Sequence, residues 1–218
     1  MERLDELARA FAPHEALALD LLPFSTEAGD GAHDPAHILR VFRNAMRIHA
    51  AEGGDGRILA AAVLLHDCVA VEKNSPLRAE ASRLAAERAS ALLGERGWTQ
   101  ADCAAVAHAV LTHSFSANIP PETLEARILQ DADRLDAIGM IGAARCFYIA
   151  GRMGSALYDV LDPAGESRTL DDRAFAIDHF PLKLFRLAGG FKTAEGRRLA
   201  AERHERLQSV LNQLLEEI

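Results

Sequence analysis

The chain has 218 residues, 49% of them apolar, which is enough for one sizeable core. A formal charge of -8 argues against a general nucleic-acid binder, because a polyphosphate backbone selects a basic face. A small phosphorylated ligand stays compatible with that charge, since a few local Arg and Lys outweigh the net value nearby. Three widely spaced cysteines, Cys68, Cys103 and Cys146, form no CxxC pair and predict buried thiols in a reduced, cytoplasmic protein. The N-terminal stretch has acids where a secretory signal has a basic start, and no segment reaches the length of a membrane span.

In chain order, nearly every segment has helical character: Ala, Leu, Arg and Glu dominate, and alternation of period two is rare. Residues 2–22 carry Leu4, Leu7, Ala8 and Phe11, then Leu17, Leu21 and Leu22, at helical spacing broken by Pro13. Residues 23–35 form a loop. Asp34-Pro35 then starts a helix that runs to about Glu52 and ends at Gly53-Gly54. His37, Val41, Asn44 and Ile48 lie on one stripe of it, with Arg40 one turn from His37. Asp55 or Gly56 opens a further helix from Arg57 to roughly Asp67, followed by a loop with Glu72, Lys73, Asn74 and Pro76.

Residues 79–96 predict an Ala-rich helix with Leu84, Ala85, Leu92 and Leu93 inward. Thr99 with Asp102 resembles a capping box for a helix that carries Val106, Val110 and His113. After Pro120-Pro121, residues 122–152 are helical, with breaks expected at Gly139, Gly142 and Gly151. Residues 160–170 are polar and turn-like. Asp171 caps a short helix holding Asp178 and His179, Pro181 restarts a short segment, and Thr193 caps a final helix over 194–217. The expectation is a single all-α domain, with a core at about 33–152 and a helical extension at about 153–218.

The stretch that stands out is Leu64-Leu65-His66-Asp67. An eight-residue apolar run, Ile58 to Leu65, ends in a histidine and an aspartate. Burying them requires a partner or a metal. His37, His113 and the acids of QDADRLDAIG supply matching groups. Imidazoles and carboxylates together suit Mn, Fe, Co, Ni, Mg or Zn, with open positions left for water and substrate. Spacing alone leaves an ordinary charge run at Asp131, Asp133 and Asp136 as the competing reading.

The pattern H…HD…D in a helical chain resembles the HD superfamily of metal-dependent phosphohydrolases. HDPAHILRVFRNA, LLHDCVAVEKNSPLRAEAS, the stretch from LTHSFSA to QDADRLDAIGMIGAARCFYIAG, DHFPLKL and GRRLAAERHERL resemble one bacterial subgroup of undefined substrate, over residues 33–215. The resemblance implies an all-α HD bundle in which His37, His66, Asp67 and Asp133 hold one divalent ion. Asp131 is the alternative fourth ligand and His33 the alternative first. Where many relatives carry an acid soon after HD, this chain has Cys68-Val69-Ala70-Val71-Glu72-Lys73, which puts a second metal in doubt.

The activity implied is hydrolysis of a phosphoester or phosphoanhydride, in a nucleotide or related metabolite. The alternative is a metal-containing nucleotide-binding or regulatory module without turnover. Asp67 is expected to orient or deprotonate water, His113 to protonate the leaving oxygen, and Arg40 and Lys73 to serve catalysis and substrate phosphate alike. Arg134 and Asp136 complete the expected substrate contacts. The partner is a small phosphorylated substrate, with no membrane and no general nucleic-acid role; a homodimer is among the open oligomeric states.

Overall fold

The computed structural model describes residues 2–25, 35–69, 71, 80–114 and 119–218. It is all-α, with one isolated backbone bridge between Ala156 and Phe175 and no longer strand pairing among the described residues. The helices are α1 (Glu2–Arg9), α2 (Glu15–Leu21), α3 (Pro35–Glu52), α4 (Gly56–Leu65), α5 (Ala81–Glu95), α6 (Gln100–Thr112) and α7 (Leu124–Asp136). They continue with α8 (Gly139–Met153), a short α9 (Phe185–Leu187) and α10 (Ala194–Glu216). The chain divides into two compact units, Met1–Asp133 and Arg134–Ile218. That division falls inside α7, earlier than the boundary near residue 152 expected from the sequence.

In the first unit α4 is the centre. Every residue from Ile58 to Leu65 is buried, and α2, α3, α5 and α6 all pack on it. A helix apolar all round cannot face water on any side, so its neighbours must enclose it. Its start is fixed by Asp55, whose carboxylate accepts hydrogen bonds from the N–H groups of Arg57 and Ile58 at 2.8 and 3.0 Å. Asp55 is itself held from α7: its N–H donates to Glu125 Oε1 at 2.8 Å. The helix α3 closes at Gly53 and Gly54, both at positive φ (84° and 98°), where glycine is the residue without penalty.

The stripe read from α3 is the one it buries: His37, Val41, Asn44 and Ile48 are all inside. In α5 the inward face is Ser82, Ala85, Ala86, Ala89 and Leu93, while Leu84 and Leu92 are only half-buried. The small side chains face in because α5 and α6 pack closely along their lengths. Thr99 caps α6 by accepting from the Asp102 N–H at 3.1 Å. All three cysteines are free and buried, and burial pushes the Cys146 thiol up to about 11, out of the nucleophilic range. Asp34, the expected cap of α3, and the 72–76 loop lie outside the described residues.

In the second unit α8 and α10 pack together. The expected long helix over 122–152 breaks once, at Gly139 (φ 72°), and runs on through Gly142 and Gly151. A Cβ at Gly142 would meet the Ala137 carbonyl oxygen at 2.4 Å, so that glycine serves close packing rather than a break. Thr193 caps α10 through the Gly196 N–H at 2.9 Å. Within residues 155–178 an ion pair joins Arg168 to Asp178. Both Arg168 Nη atoms donate to the Asp178 carboxylate, at 2.6 and 2.7 Å, and the Asp171 N–H adds a third bond at 2.7 Å.

Candidate metal centre

Four chain segments of the first unit deliver the site. His66 follows the last residue of α4 and Asp67 comes next in the turn, so the buried run carries its two polar residues to the helix end. His37 comes from the first turns of α3, His113 from the C-terminal end of α6, and Asp133 from α7. The three imidazoles are buried, and Asp67 and Asp133 remain about one quarter exposed, at 25% and 27%. The histidines are therefore held by the core, and the carboxylates form the side open to solvent.

The distances are those of a converging cluster. His66 Nε2 lies 3.3 Å from His37 Nε2 and 3.4 Å from Asp67 Oδ2. His37 Nε2 stands 3.6 Å from Asp133 Oδ1 and 3.7 Å from Asp67 Oδ2. His113 Nε2 lies 3.6 Å from Asp67 Oδ1. Among the described residues, His37, His66 and Asp133 form the group whose ligand atoms all lie within 4.8 Å of one another. Asp131 is fully buried and stands outside that group. The structure brings Asp133 to the histidines.

Hydrogen bonding tests whether a cation fits. A carbonyl only accepts, so His66 Nδ1, 2.7 Å from the Val63 oxygen, carries a proton and donates it. His113 Nδ1 donates in the same way to Val110 O at 2.6 Å. Burial pushes His66 below the ordinary imidazole range despite the nearby Asp67 charge, so it is neutral and its Nε2 is a bare lone pair. That lone pair faces another ring nitrogen and a carboxylate oxygen. One shared N–H leaves at least one such pair repulsive, whereas a cation satisfies all of them. Two atoms each about 2.1 Å from one ion stand about 3–3.5 Å apart when cis, close to the spacings here.

His113 behaves differently. Burial alone would lower it, but the Asp67 carboxylate, with help from Asp133, outweighs burial and holds it above the ordinary value. Asp67 is the hub, within 3.7 Å of all three histidines.

The other sequence candidates are placed as follows. Arg40 is half-buried on α3, one turn beyond His37. Lys73, His33, Glu72 and Ser116 lie outside the described residues. Arg134 and Asp136 belong to the second unit and have partners there, and their contact with substrate stays an expectation. The Arg134 guanidinium donates to Gly190 O at 2.6 Å, and the buried Asp136 pairs with Arg145 at 2.8 Å. Sequence reasoning passed over Gln130, which is 3% exposed and bonded beside His113. It lies three residues before Asp133 on α7, and the sequence around it gives no local signal of its contact.

Fold and site together define a helical metal-dependent phosphohydrolase of the HD type. The chain belongs to the HD domain family: residues 36–138 match the family's model, and they contain all five residues of the cluster. It is 33% identical, over 85% of its length and 84% of the relative's, to YpgQ, an uncharacterized protein of Bacillus subtilis. The crystal structure of Bacillus subtilis YpgQ in complex with ADP matches the whole chain and 95% of its own, with a TM-score of 0.68 and 31% identity. An HD-superfamily hydrolase from Bacillus thuringiensis matches 99% of this chain and 96% of its own, with a TM-score of 0.68 and 25% identity. No helix among the described residues is long and apolar enough to cross a membrane.

Proposed function

We propose that the protein hydrolyses a phosphoanhydride or phosphoester bond of a nucleotide, with one divalent ion held by His37, His66, Asp67 and Asp133. The observation that carries this reading is the bare Nε2 of His66, which faces a second imidazole nitrogen and Asp67 at 3.3 and 3.4 Å. The nucleotide is supported by the ADP complex of YpgQ, a relative aligned over the whole chain.

When bound, a divalent ion at these residues supplies Lewis-acid polarisation of a phosphoryl oxygen and acidifies a water. The chain's own groups do the rest. Asp67, one quarter exposed, accepts a proton from the attacking water and orients it. The phosphorus–oxygen bond to the leaving group breaks as the water oxygen bonds to phosphorus. His113 gives its Nε2 proton to the leaving oxygen. Its raised affinity keeps that proton available near neutral pH, and its Nδ1–H bond to Val110 fixes which nitrogen is presented. Arg40, half-buried one turn from His37, would meet phosphate charge. Lys73 is assigned the same role from the sequence alone.

The deciding experiment measures metal content of the purified protein together with phosphate and pyrophosphate release from a nucleotide panel with Mn²⁺ added. About one equivalent of metal and a preferred substrate support the reading, and the product tells which bond is cut. Metal and saturable nucleotide binding without product would replace it by a sensing module. A protein that binds no Mn²⁺ would remove the site.

A further inference from the structure

Gln130 lies on α7 three residues before Asp133, so the two side chains emerge from the same face of the helix. It is buried, and its Nε2 donates to the Thr112 carbonyl oxygen at 2.7 Å. Because a carbonyl only accepts, the amide nitrogen must face it, and this fixes Oε1 on the other side. Oε1 is buried with no hydrogen-bond partner among the described residues.

Thr112 is the last residue of α6, and its carbonyl is one of the four that the helix leaves without an internal partner. His113 follows directly. Its ring is pinned back to the same final turn through Val110 O at 2.6 Å, so the ring and the turn move as one body. The Thr112 hydroxyl also turns back into α6, to the oxygens of His108 and Ala109. The bond from Gln130 therefore ties the His113 end of α6 to the helix that carries Asp133. The cost is a buried acceptor without a partner among the described residues, which an apolar side chain of equal volume would avoid.

We propose that Gln130 is a positioning residue of the site. Its amide holds the end of α6 so that His113 Nε2 stays at its 3.6 Å separation from Asp67. It acts through Thr112 and His113 and does not itself touch the reacting atoms. The kinetic side of this proposal rests on the hydrolytic reading of the site; the geometric side does not.

The test compares Gln130→Met, which keeps the volume and loses the amide, and Gln130→Asn, which keeps the amide and loses the reach. Ile128→Val, a buried change on the same helix away from Thr112, is the control. Two readouts are taken: steady-state kinetics with the preferred nucleotide at saturating Mn²⁺, and the His113 ring signals in ¹⁵N-labelled protein without metal. Both Gln130 variants are expected to lose about 10- to 100-fold in kcat with KM within about twofold, since small misplacement of a catalytic group has effects of this size. They also shift the His113 ring signals, while Ile128→Val does neither. Wild-type kcat with unmoved His113 signals in both variants overturns the proposal, as does an equal kcat loss in Ile128→Val. A wild-type protein without turnover would end the hydrolytic reading alone, and the His113 signals then decide the role of Gln130.

Discussion

His113 Nε2 lies 3.6 Å from Asp67 Oδ1, while the other oxygen of the same carboxylate lies 3.4 Å from His66 Nε2. Asp67 thus faces two imidazoles with opposite tendencies. Burial lowers the proton affinity of His66, whereas the Asp67 carboxylate outweighs burial at His113 and raises it. In the proposed reaction this arrangement would let one carboxylate serve both the ion and the proton transfer.

His113→Gln is expected to separate the two tasks. The amide keeps polarity and much of the volume but carries no proton to give. Turnover should fall about 100-fold, the ordinary worth of a positioned general acid, with bound metal unchanged. Steady-state rates beside metal analysis of the same sample check this. Loss of metal in parallel with rate would instead make His113 a ligand.

Asp133→Asn and Asp131→Asn distinguish two acids of one motif. Asp133 Oδ1 stands 3.6 Å from His37 Nε2 and is a quarter exposed, whereas Asp131 is fully buried. Asp133→Asn should weaken Mn²⁺ binding by at least about 100-fold, more than is usual for outer-shell changes. Asp131→Asn should leave metal content near wild type. Titration calorimetry reads both, and the reverse order would move the ligand to Asp131.

Much of this arrangement was legible in the sequence because it is local. The apolar run before His66 names α4 and its buried setting. Asp55, Thr99 and Thr193 are caps that act within three residues of themselves, and the α3 stripe follows from helical period alone. What depends on packing between segments was not legible. Gly139, Gly142 and Gly151 look alike in sequence, yet only the first breaks the helix, because the φ of one and the close carbonyl near another are set by tertiary contacts. Arg134 and Asp136 read as site residues from their nearness to Asp133. Their partners within the second unit, Gly190 and Arg145, lie 56 and 9 residues on and carry no local signature. The contact from Gln130 to Thr112 spans eighteen residues and has no local signature.

The Asp178–Arg168 pair gives the second unit an acid-sensitive point. Burial of Asp178 works against its charge, but the Arg168 guanidinium and the Asp171 N–H more than offset this and hold its carboxyl below the ordinary value. A depressed carboxyl contributes stability that is fully present above the unfolded value of about 3.9. That stability is lost as pH falls through the lower, folded value. Asp178→Asn should therefore lower the melting temperature by about 5 °C at pH 7, a change expected when one partner of a buried pair is removed. The gap between variant and wild type should close below about pH 4. Thermal melts by circular dichroism from pH 7 to pH 2 check this, and a gap that widens toward acid would contradict the sign.

Gly142 and Gly151 lie on the same helix and should respond to alanine with opposite sign. At Gly151 a new Cβ meets nothing within 4 Å, and the residue sits within α8. Alanine there removes backbone freedom from the unfolded chain and should stabilise by about 0.5–1 kcal/mol. At Gly142 the same methyl would stand 2.4 Å from the Ala137 carbonyl oxygen, a contact with backbone that no rotamer relieves. The turn joining α7 to α8 would have to shift, with a destabilisation of about 2–3 kcal/mol. The strain would fall next to Asp136, whose pair with Arg145 spans that same turn. Denaturant unfolding of both variants decides the matter: equal and small changes would mean that the close approach at Gly142 is not a feature of the folded protein.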